Sequence, residues 1–313
     1  MTNFIIFTGS ANPSLAEAVT KQLDVRLGNR ILQRFPDGEL HIEIEESVRG
    51  QDVYLIQPIS PPVDEHLMEL LLLADACRRA GATQLTAIVP YLGYARQDRR
   101  ARGREPVSAR LVADLIKTSG IQRLVAVDLH TTALEGIFTV PLEHLSAVSI
   151  LSEAVRPWIE DNTLVVSPDL GAIKLAERYA RLLQLPVAIA YKTRISGEEV
   201  HTKGIIGDVH DRAVLIVDDM ISTGGTVKAA IEALLEAGCL PNILVVATHG
   251  LFVGTAVERF RALPIRRLIV TNSVDRPGNL PFPIQEISLG PLLAEVIKRL
   301  HNNHSLKDLI IHG

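Results

Sequence analysis

The chain has 313 residues, a formal net charge of −4 and a composition that is 47% hydrophobic but only 4% aromatic. This mild negative charge argues against a general nucleic-acid-binding protein, which would expose a strongly basic surface. The hydrophobic fraction is large enough for a full core, and the length favours two domains over one. A core poor in aromatics consists of Val, Ile, Leu and Ala, which suits parallel strands covered by helices.

Two cysteines, Cys77 and Cys239, lie far apart in the sequence. Their number predicts a reducing compartment, here the cytoplasm, and no disulfide framework. The most apolar helical run, 67–76, is short and contains two acids, so it predicts a core helix and not a membrane span. The apolar residues 4–7 have no basic region before them, so they do not predict a targeting segment.

Short apolar runs alternate with helical patterns along the chain. The strand candidates are 4–7, 52–57, 85–90, 123–128, 163–167, 187–191, 213–217, 243–248 and 267–271. The helix candidates are 14–22, 65–80, 106–118, 146–155, 172–183, 226–237, 254–261 and 289–301. A chain that alternates strand and helix in this way predicts mostly parallel sheets with helices on both faces.

Two stretches of the chain echo each other. Residues 15–23 read LAEAVTKQL and residues 175–183 read LAERYARLL, while Ala-Gly pairs at 80–81 and 237–238 each precede a strand candidate. Matches in the same order, about 160 residues apart, predict two similar α/β domains. The predicted divisions are an N-terminal domain 1–145, a C-terminal domain 146–300 and a tail 301–313.

The sharpest motif is VLIVDDMISTGGT at 214–226. A buried strand candidate ends in Asp218 and Asp219, and a Thr/Gly loop then opens a helix. Ligands of parallel sheets bind at the carboxyl ends of strands, and loop amides at a helix N-terminus favour a phosphate. The acids can accept hydrogen bonds from a ribose diol. A plain capped helix is the alternative, but the whole pattern favours a sugar-phosphate site.

Four further motifs are less specific one by one. They are RFPDGE at 34–39, PYLGYARQDRRARGREP at 90–106, LVAVDLHTT at 124–132 and SPDLG at 167–171. The five arginines from 96 to 104 could form a solvated loop or a nucleic-acid patch, or they could bind a polyphosphate through planar donors. By themselves, Phe35 would suit a core position and His130 a structural one.

Together and in this order, the motifs resemble the ribose-phosphate pyrophosphokinase family, and the loop at 214–226 resembles the phosphoribosyl pyrophosphate-binding loop of the type I phosphoribosyltransferase fold. The resemblance runs from about residue 4 to residue 300. It implies an α/β protein of two similar type I phosphoribosyltransferase-like domains, each a mostly parallel sheet flanked by helices. It also implies transfer of the β,γ-diphosphoryl group of ATP to the C1 hydroxyl of ribose 5-phosphate, giving 5-phosphoribosyl 1-pyrophosphate and AMP in nucleotide biosynthesis.

The resemblance implies roles for particular residues. The implied ATP contacts are Phe35, Asp37, Gly38, Glu39, Arg96, Gln97 and Asp98. The implied ribose 5-phosphate contacts are Arg194, Asp218, Asp219, Ser222, Thr223, Gly224, Gly225 and Thr226. Lys192 and Arg194, in a segment 190–204 that reads as a mobile loop, would be catalytic and neutralise charge on the reacting phosphates. His130 and Asp169 would be associated with Mg²⁺, which triphosphate oxygens would chiefly hold.

The family resemblance also implies partners. In the family, the segment that contacts the adenine comes from the neighbouring subunit, so we expect a homo-oligomer based on dimers, with a hexamer as one option. We expect inorganic phosphate to act as an activator, and we expect neither nucleic-acid nor membrane partners. The later arginines of 96–104 would line an anion or effector site between subunits.

The sequence departs from the common pattern in two places. Ser222 stands where many family members carry an acid, and together with KTRIS at 192–196 it resembles archaeal-type members. The tail reads HSLKDLIIHG, whereas the common type builds an ADP-inhibition site partly from a serine-rich tail. Ser47 and Arg49 match that site, but Lys307, Asp308 and Ile310 do not. We therefore expect weak or absent allosteric inhibition by ADP.

Two alternatives remain open at this point. A regulatory paralogue would keep the fold without the chemistry, but the intact Lys192, Asp218 and His130 argue against it. A phosphoribosyltransferase acting on a purine or pyrimidine would share the loop at 214–226, but RFPDGE and the duplicated domain argue against it.

Overall fold

The computed structural model describes residues 4–194, 200–276, 278 and 280–311, with the backbone alone at 192–194 and 200–203. The chain divides into two compact units. The first unit consists of Met1–Ser146, Ser273–Asp275 and Ser288–Gly313. The second unit consists of Ala147–Asn272 and Arg276–Ile287.

Each α-helix of the described chain lies at a predicted position. They are α1 (Pro13–Leu23), α2 (Val63–Arg79), α3 (Ser108–Thr118), α4 (Val148–Val155), α5 (Ile173–Leu183), α6 (Gly225–Glu236), α7 (Ala256–Arg261) and α8 (Gly290–His301). Helix α1 shows the local cause. The Asn12 side chain accepts a hydrogen bond from the Leu15 N–H, Pro13 occupies the first turn, and Leu15, Ala16 and Val19 form the buried face.

The strands are more numerous than predicted. They are β1 (Phe4–Thr8), β2 (Arg30–Arg34), β3 (Leu40–Ile44), β4 (Asp52–Ile56), β5 (Gln84–Val89), β6 (Arg123–Val127), β7 (Leu142–Leu145), β8 (Leu164–Ser167), β9 (Val187–Arg194), β10 (Val200–Ile206), β11 (Val214–Ile221), β12 (Ile243–Gly250), β13 (Ile265–Thr271) and β14 (Ile284–Ile287). Five of them, β2, β3, β7, β10 and β14, were not predicted.

The two units share one strand order. The first contains the parallel sheet β1-β4-β5-β6-β7 and the separate hairpin β2-β3. The second contains β8-β11-β12-β13-β14 in the corresponding order, extended beyond β8 by β9 and the antiparallel β10. In both units a helix follows the first strand and a hairpin follows that helix. The predicted pair of similar, mostly parallel α/β domains is confirmed.

The two Ala-Gly pairs, which indicated the repeat in the sequence, lie at the ends of equivalent helices. Ala80 is the C-cap of α2 and Ala237 is the C-cap of α6. The following glycines, Gly81 and Gly238, have φ angles of +91° and +85°, which lie in the left-handed region that favours glycine. The pairs therefore mark the same structural position in both units.

Two sequence-based expectations need correction. The domain ending at residue 300 included α8, but this helix packs against α1 in the first unit. The segment 190–204 was interpreted as a mobile loop, yet its described backbone belongs to the antiparallel strands β9 and β10. Residues 195–199, within that segment, lie outside the described residues.

Beyond α8, the chain returns to the edge of the first sheet. Ile310 pairs with Leu145 of β7 in an antiparallel bridge. The Ile311 N–H donates to the His144 carbonyl at 2.9 Å, and the Ser146 N–H donates to the Leu309 carbonyl at 3.1 Å. These residues of the predicted tail thus extend the sheet beyond its last strand.

Candidate active site

Asp218 and Asp219 lie inside β11, which continues four residues beyond the predicted strand, to Ile221. Both acids are half-buried. Each carboxylate accepts a backbone N–H at 2.9 Å, from Asp219 and from Met220 respectively. Burial raises the pKa of Asp218 well above its ordinary value, and the negative charges of Asp219 and Asp169 raise it further. The free site thus disfavours charge on Asp218, and a ligand that donates hydrogen bonds would relieve that cost.

The loop 222–226 connects the acid pair to α6. Gly224 is the N-cap residue with a φ angle of +73°, and no side chain of the described residues caps this helix. The first-turn amides of α6 therefore carry the partial positive charge of a helix N-terminus without a protein side chain to offset it. Thr223 and Gly225 are exposed, and Ser222 and Thr226 are half-buried. Such a loop can bind a phosphate.

Asp169 lies at the same edge of the second sheet. It follows β8, which pairs in parallel with β11, and it caps the 3₁₀ helix Leu170–Ala172. Its Oδ1 accepts the N–H groups of Gly171 at 2.9 Å and Ala172 at 3.2 Å. The 3₁₀ helix that Asp169 caps contacts β11, and the negative charge of Asp169 contributes to the raised pKa of Asp218. The structure thus brings Asp169 together with the acid pair and the loop.

The described residues offer few candidate metal ligands. Among the described residues, no group of three or more His, Cys, Asp or Glu side chains could hold a metal ion. The Oδ1 atom of Asp169 is already shared between two amides, so this carboxylate offers mainly its other oxygen. Divalent cations such as Mg²⁺ commonly keep waters and bind through substrate phosphates. One oxygen of Asp169 could therefore be a ligand of a cation that also binds substrate phosphates.

Lys192 and Arg194 are residues of β9. Their backbones pair with Thr202 and Val200 of β10. Their side chains lie outside the described part of the chain, so their predicted roles remain predictions.

In the first unit, RFPDGE forms the tip of the β2-β3 hairpin. The Phe35 N–H donates to the Glu39 carbonyl and the Gly38 N–H to the Phe35 carbonyl, both at 2.9 Å. Gly38 has a φ angle of +94°, and the Asp37 carboxylate accepts the Glu39 N–H at 3.1 Å. The Phe35 ring is 47% exposed, with His41 as its ring neighbour at 5.2 Å between centroids. The alternative of a core phenylalanine is therefore wrong.

The arginine-rich segment is also at the surface. Arg96 and Gln97 are exposed, and the Gln97 side chain accepts the Ser108 hydroxyl at 2.6 Å. Asp98 is half-buried and lies 3.6 Å from the Arg99 guanidinium. Glu105 accepts two backbone N–H groups of the loop, at 2.9 and 2.8 Å. Glu105 thus orders the backbone of this segment, while the arginines of the segment extend into solvent.

His130 is exposed beyond the end of β6. The preceding Leu129 N–H donates to Nε2 of the buried His144 at 2.8 Å. Nδ1 of His144 lies 3.1 Å from Glu135, which favours the tautomer protonated at Nδ1. The Ser146 hydroxyl donates to Asp128 at 3.0 Å. The side chains of His144 in β7 and of Ser146 just after it thus hold the loop that carries His130. His130 and Asp169 belong to different units, so their joint role at a metal stays a prediction.

One contact of the loop 222–226 was not predicted. The Arg259 guanidinium of α7 donates to the Thr223 carbonyl at 2.8 Å. The two residues are 36 positions apart, and the contact is from a side chain to the backbone. No local motif or periodicity in the sequence could have indicated it.

Comparison with known proteins decides the family. Residues 4–120 match the N-terminal domain of ribose phosphate pyrophosphokinase, and residues 195–311 match a phosphoribosyl synthetase-associated domain. A ribose-phosphate pyrophosphokinase of Bacillus subtilis is 41% identical over 308 residues, which cover 98% of this chain and 97% of the relative. The chain belongs to the ribose-phosphate pyrophosphokinase family. A second family member, from Rhodopirellula baltica, is 42% identical over 313 residues, 99% of each chain.

A solved structure extends the match to three dimensions. The crystal structure of phosphoribosylpyrophosphate synthetase from Mycobacterium smegmatis aligns with a TM-score of 0.90 at 39% identity. It covers 96% of this chain and 99% of its own. Ribose-phosphate pyrophosphokinases are enzymes, so the regulatory paralogue and the plain phosphoribosyltransferase lose their support. No helix among the described residues has both the length and the apolar character to span a membrane.

Proposed function

We propose that this chain transfers the β,γ-diphosphoryl group of ATP to the C1 hydroxyl of ribose 5-phosphate, giving 5-phosphoribosyl 1-pyrophosphate and AMP. The observation that carries the proposal is the edge of the second sheet. There, paired acids on β11 lead directly into a glycine-containing loop at the uncapped start of α6. A sugar with a phosphate at one end and hydroxyls at the other complements both features.

Ribose 5-phosphate would bind along this edge. The loop from Ser222 to Thr226 would hold the 5-phosphate through its amides and hydroxyls. Asp218 and Asp219 would accept hydrogen bonds from the ribose hydroxyls, which stabilise the charged form of the half-buried Asp218. The C1 hydroxyl would then be fixed for attack on the β-phosphorus, and such positioning supplies much of the rate.

ATP would be bound by residues of the first unit. The exposed Phe35 ring would stack on the adenine, and Asp37 and Glu39 would accept from its polar groups. Gly38 permits the tight turn that presents them. Arg96, Gln97 and Asp98 would contact the nucleotide, with the Arg96 guanidinium suited to phosphate oxygens.

Charge stabilisation would come from cations around the triphosphate. Lys192 and Arg194 of β9 would neutralise charge as the bond to the β-phosphorus is exchanged. His130 and Asp169 would help to hold Mg²⁺, which when bound would polarise the phosphoryl oxygens. The two backbone N–H groups that donate to Oδ1 of Asp169 would hold its carboxylate in one orientation.

We also propose the setting in which the enzyme works. It would be a homo-oligomer based on dimers, with the β2-β3 hairpin completing the adenine site of a neighbouring subunit, and inorganic phosphate would activate it. The free, buried Cys77 and Cys239 fit a reducing cytoplasm. ATP and ribose 5-phosphate would be its small-molecule partners.

The test is a direct assay. The purified protein is incubated with ATP, Mg²⁺ and ribose 5-phosphate, with and without inorganic phosphate, and AMP and phosphoribosyl pyrophosphate are followed by chromatography. We expect equal amounts of both products. Lys192→Ala should lose activity by two orders of magnitude or more, since oxyanion-stabilising groups contribute about 10²–10³-fold. Lys298→Ala, at an exposed position of α8, is the matched control and should keep full activity.

Each negative outcome has a distinct meaning. A folded protein that binds ATP but forms no AMP under any condition would favour the regulatory paralogue. Release of pyrophosphate that depends on an added purine or pyrimidine would indicate a phosphoribosyltransferase. Omission of Mg²⁺ should abolish product formation, and undiminished activity in chelator would contradict the metal role.

A further inference from the structure

Helix α7 lies directly against the phosphate-binding loop of the second unit. A Cβ atom at Gly224 would clash with the Phe260 ring. A Cβ atom at Gly225 would lie 3.6 Å from Nη1 of Arg259. Phe260 is 1% exposed and contacts Phe252 and Phe282 through its ring, at 5.8 and 5.6 Å between centroids. The support beneath the loop is therefore a rigid aromatic cluster.

The loop itself has little intrinsic rigidity. Its two consecutive glycines, Gly224 and Gly225, have wide conformational freedom, and Gly224 adopts a φ angle of +73°. A peptide group beside such residues can rotate at low cost. An anion site built from backbone amides needs each N–H to keep one direction, so the loop needs an external constraint.

Arg259 supplies a constraint of this kind. Its Nη1 donates to the Thr223 carbonyl at 2.8 Å. In a planar trans peptide the C=O and N–H groups point in opposite directions. A Thr223 carbonyl directed toward α7 therefore directs the Gly224 N–H away from α7, toward the opposite side of the loop.

We propose that Arg259 is a positioning residue for the 5-phosphate of ribose 5-phosphate, which fixes the peptide between Thr223 and Gly224 so that the Gly224 N–H donates to that phosphate. The inference rests on the proposed function, because it assigns the loop to the sugar phosphate. Arginine suits the role since its charge also adds positive potential beneath the loop. Arg259 acts through Thr223 and Gly224, not on the reacting atoms.

The experiment compares Arg259→Met with Arg259→Lys in steady-state kinetics. Arg259→Met should raise the KM for ribose 5-phosphate about tenfold, the usual effect of losing a charged hydrogen bond. Its KM for ATP should not change and its kcat should stay within about twofold. Arg259→Lys keeps the charge and one donor, so it should restore part of the lost affinity. Arg261→Met, an exposed arginine on the same helix, should match the wild-type protein.

A general loss of structure would behave differently. It would raise both KM values, lower kcat and lower the Tm, and Arg259→Lys would not restore affinity selectively. A KM for ribose 5-phosphate that is unchanged in a folded Arg259→Met variant would overturn the inference.

Calorimetric binding of ribose 5-phosphate without ATP separates the inference from the proposed function. Weaker binding by Arg259→Met than by the wild-type protein, even with no turnover by either, would refute the function and keep the inference. Normal turnover by the wild-type protein, with equal binding of ribose 5-phosphate by both proteins, would support the function and refute the inference.

Discussion

In the free protein, the surroundings of Asp218 disfavour its charged form. Its burial beside Asp219 and Asp169 raises its pKa in the folded state. Because the folded chain holds this proton more tightly than the unfolded chain, the free energy of unfolding contributed by Asp218 decreases as pH rises from the ordinary carboxyl range, about 4, towards the raised value. Buried carboxylates with like-charged neighbours are common where a ligand supplies the missing donors.

Replacing this carboxylate should separate stability from activity. Asp218→Asn keeps the shape but cannot ionise, so we expect a higher Tm at pH 8 and a gain that becomes smaller as the pH is lowered to 5. The affinity for ribose 5-phosphate should fall at least tenfold, because a ribose hydroxyl loses its charged acceptor. Thermal unfolding across this pH range and ribose 5-phosphate titrations check both effects.

Asp161→Asn, at an exposed position of the same unit, is the control and should change neither property. A lower Tm for Asp218→Asn at pH 8 would mean that the carboxylate is stabilising in the free protein, contrary to its raised pKa.

Among the secondary-structure elements, the β2-β3 hairpin carries an exposed aromatic side chain, which indicates a role in ligand binding and not in the core. Phe35→Ala should leave the free energy of unfolding nearly unchanged, because the ring is 47% exposed. It should raise the KM for ATP about tenfold, since stacking of a base on an aromatic ring contributes about 1–3 kcal/mol. Phe7→Ala provides the contrast within the same unit, because Phe7 is fully buried and its loss should cost about 3–5 kcal/mol of stability.

Kinetics and chemical denaturation of both variants distinguish a ligand role from a structural one. If Phe35→Ala bound ATP normally, the hairpin would have no part in the adenine site.

Helices were predictable from the sequence because each carries an apolar face at helical spacing over eight or more residues, or a clear start and end. Largely buried strands such as β4 and β12 were predictable as apolar runs. Strands β2, β3 and β14 are mostly half-buried or exposed, so they lack such runs. Strand β10 was hidden in a polar segment because it pairs only at the edge of its sheet.

The candidate site was likewise predictable where its residues are contiguous in the sequence. The acids and glycines of 214–226 are contiguous, so their chemistry is visible in one motif. Arg259 was not visible, because its contact with Thr223 depends on how α7 packs after the chain folds. The position of Asp169 beside Asp218 likewise depends on β8 and β11 becoming neighbours in the sheet. Contacts of this kind need the fold before they can be inferred.

At the scale of the whole molecule, the two units share a strand order but carry different side chains at equivalent positions. Strand β11 carries the paired acids and leads into the loop 222–226, whereas the equivalent β4 leads into Gln57, which is fully buried. The Gln57 amide accepts from the Ala11 N–H at 3.2 Å and donates to Glu69 at 2.7 Å. The same edge of the first sheet is therefore internally hydrogen-bonded at Gln57, which agrees with our proposal that the second unit binds the sugar phosphate.

The segment after α8 bears on the expected weakness of inhibition by ADP. Arg299 forms a two-pronged ion pair with Asp308, which lowers the pKa of Asp308 and keeps it charged. Because Asp308 and Glu295 both pair with the Arg299 guanidinium, this cation is not available to a nucleotide phosphate. We expect ADP to inhibit only in competition with ATP, at any concentration of inorganic phosphate. Initial rates with ATP and ADP both varied would contradict this by showing a noncompetitive component.

The pairing of residues 309–311 with β7 has a consequence for solubility. An uncovered edge strand presents a row of free N–H and C=O groups, and it can pair with the same edge of another molecule. In this protein, Ile310 and its neighbours occupy those groups along β7. Proteolysis just before Leu309 would uncover them while leaving both cores intact. The trimmed protein would then aggregate edge to edge, even though no catalytic residue had been lost.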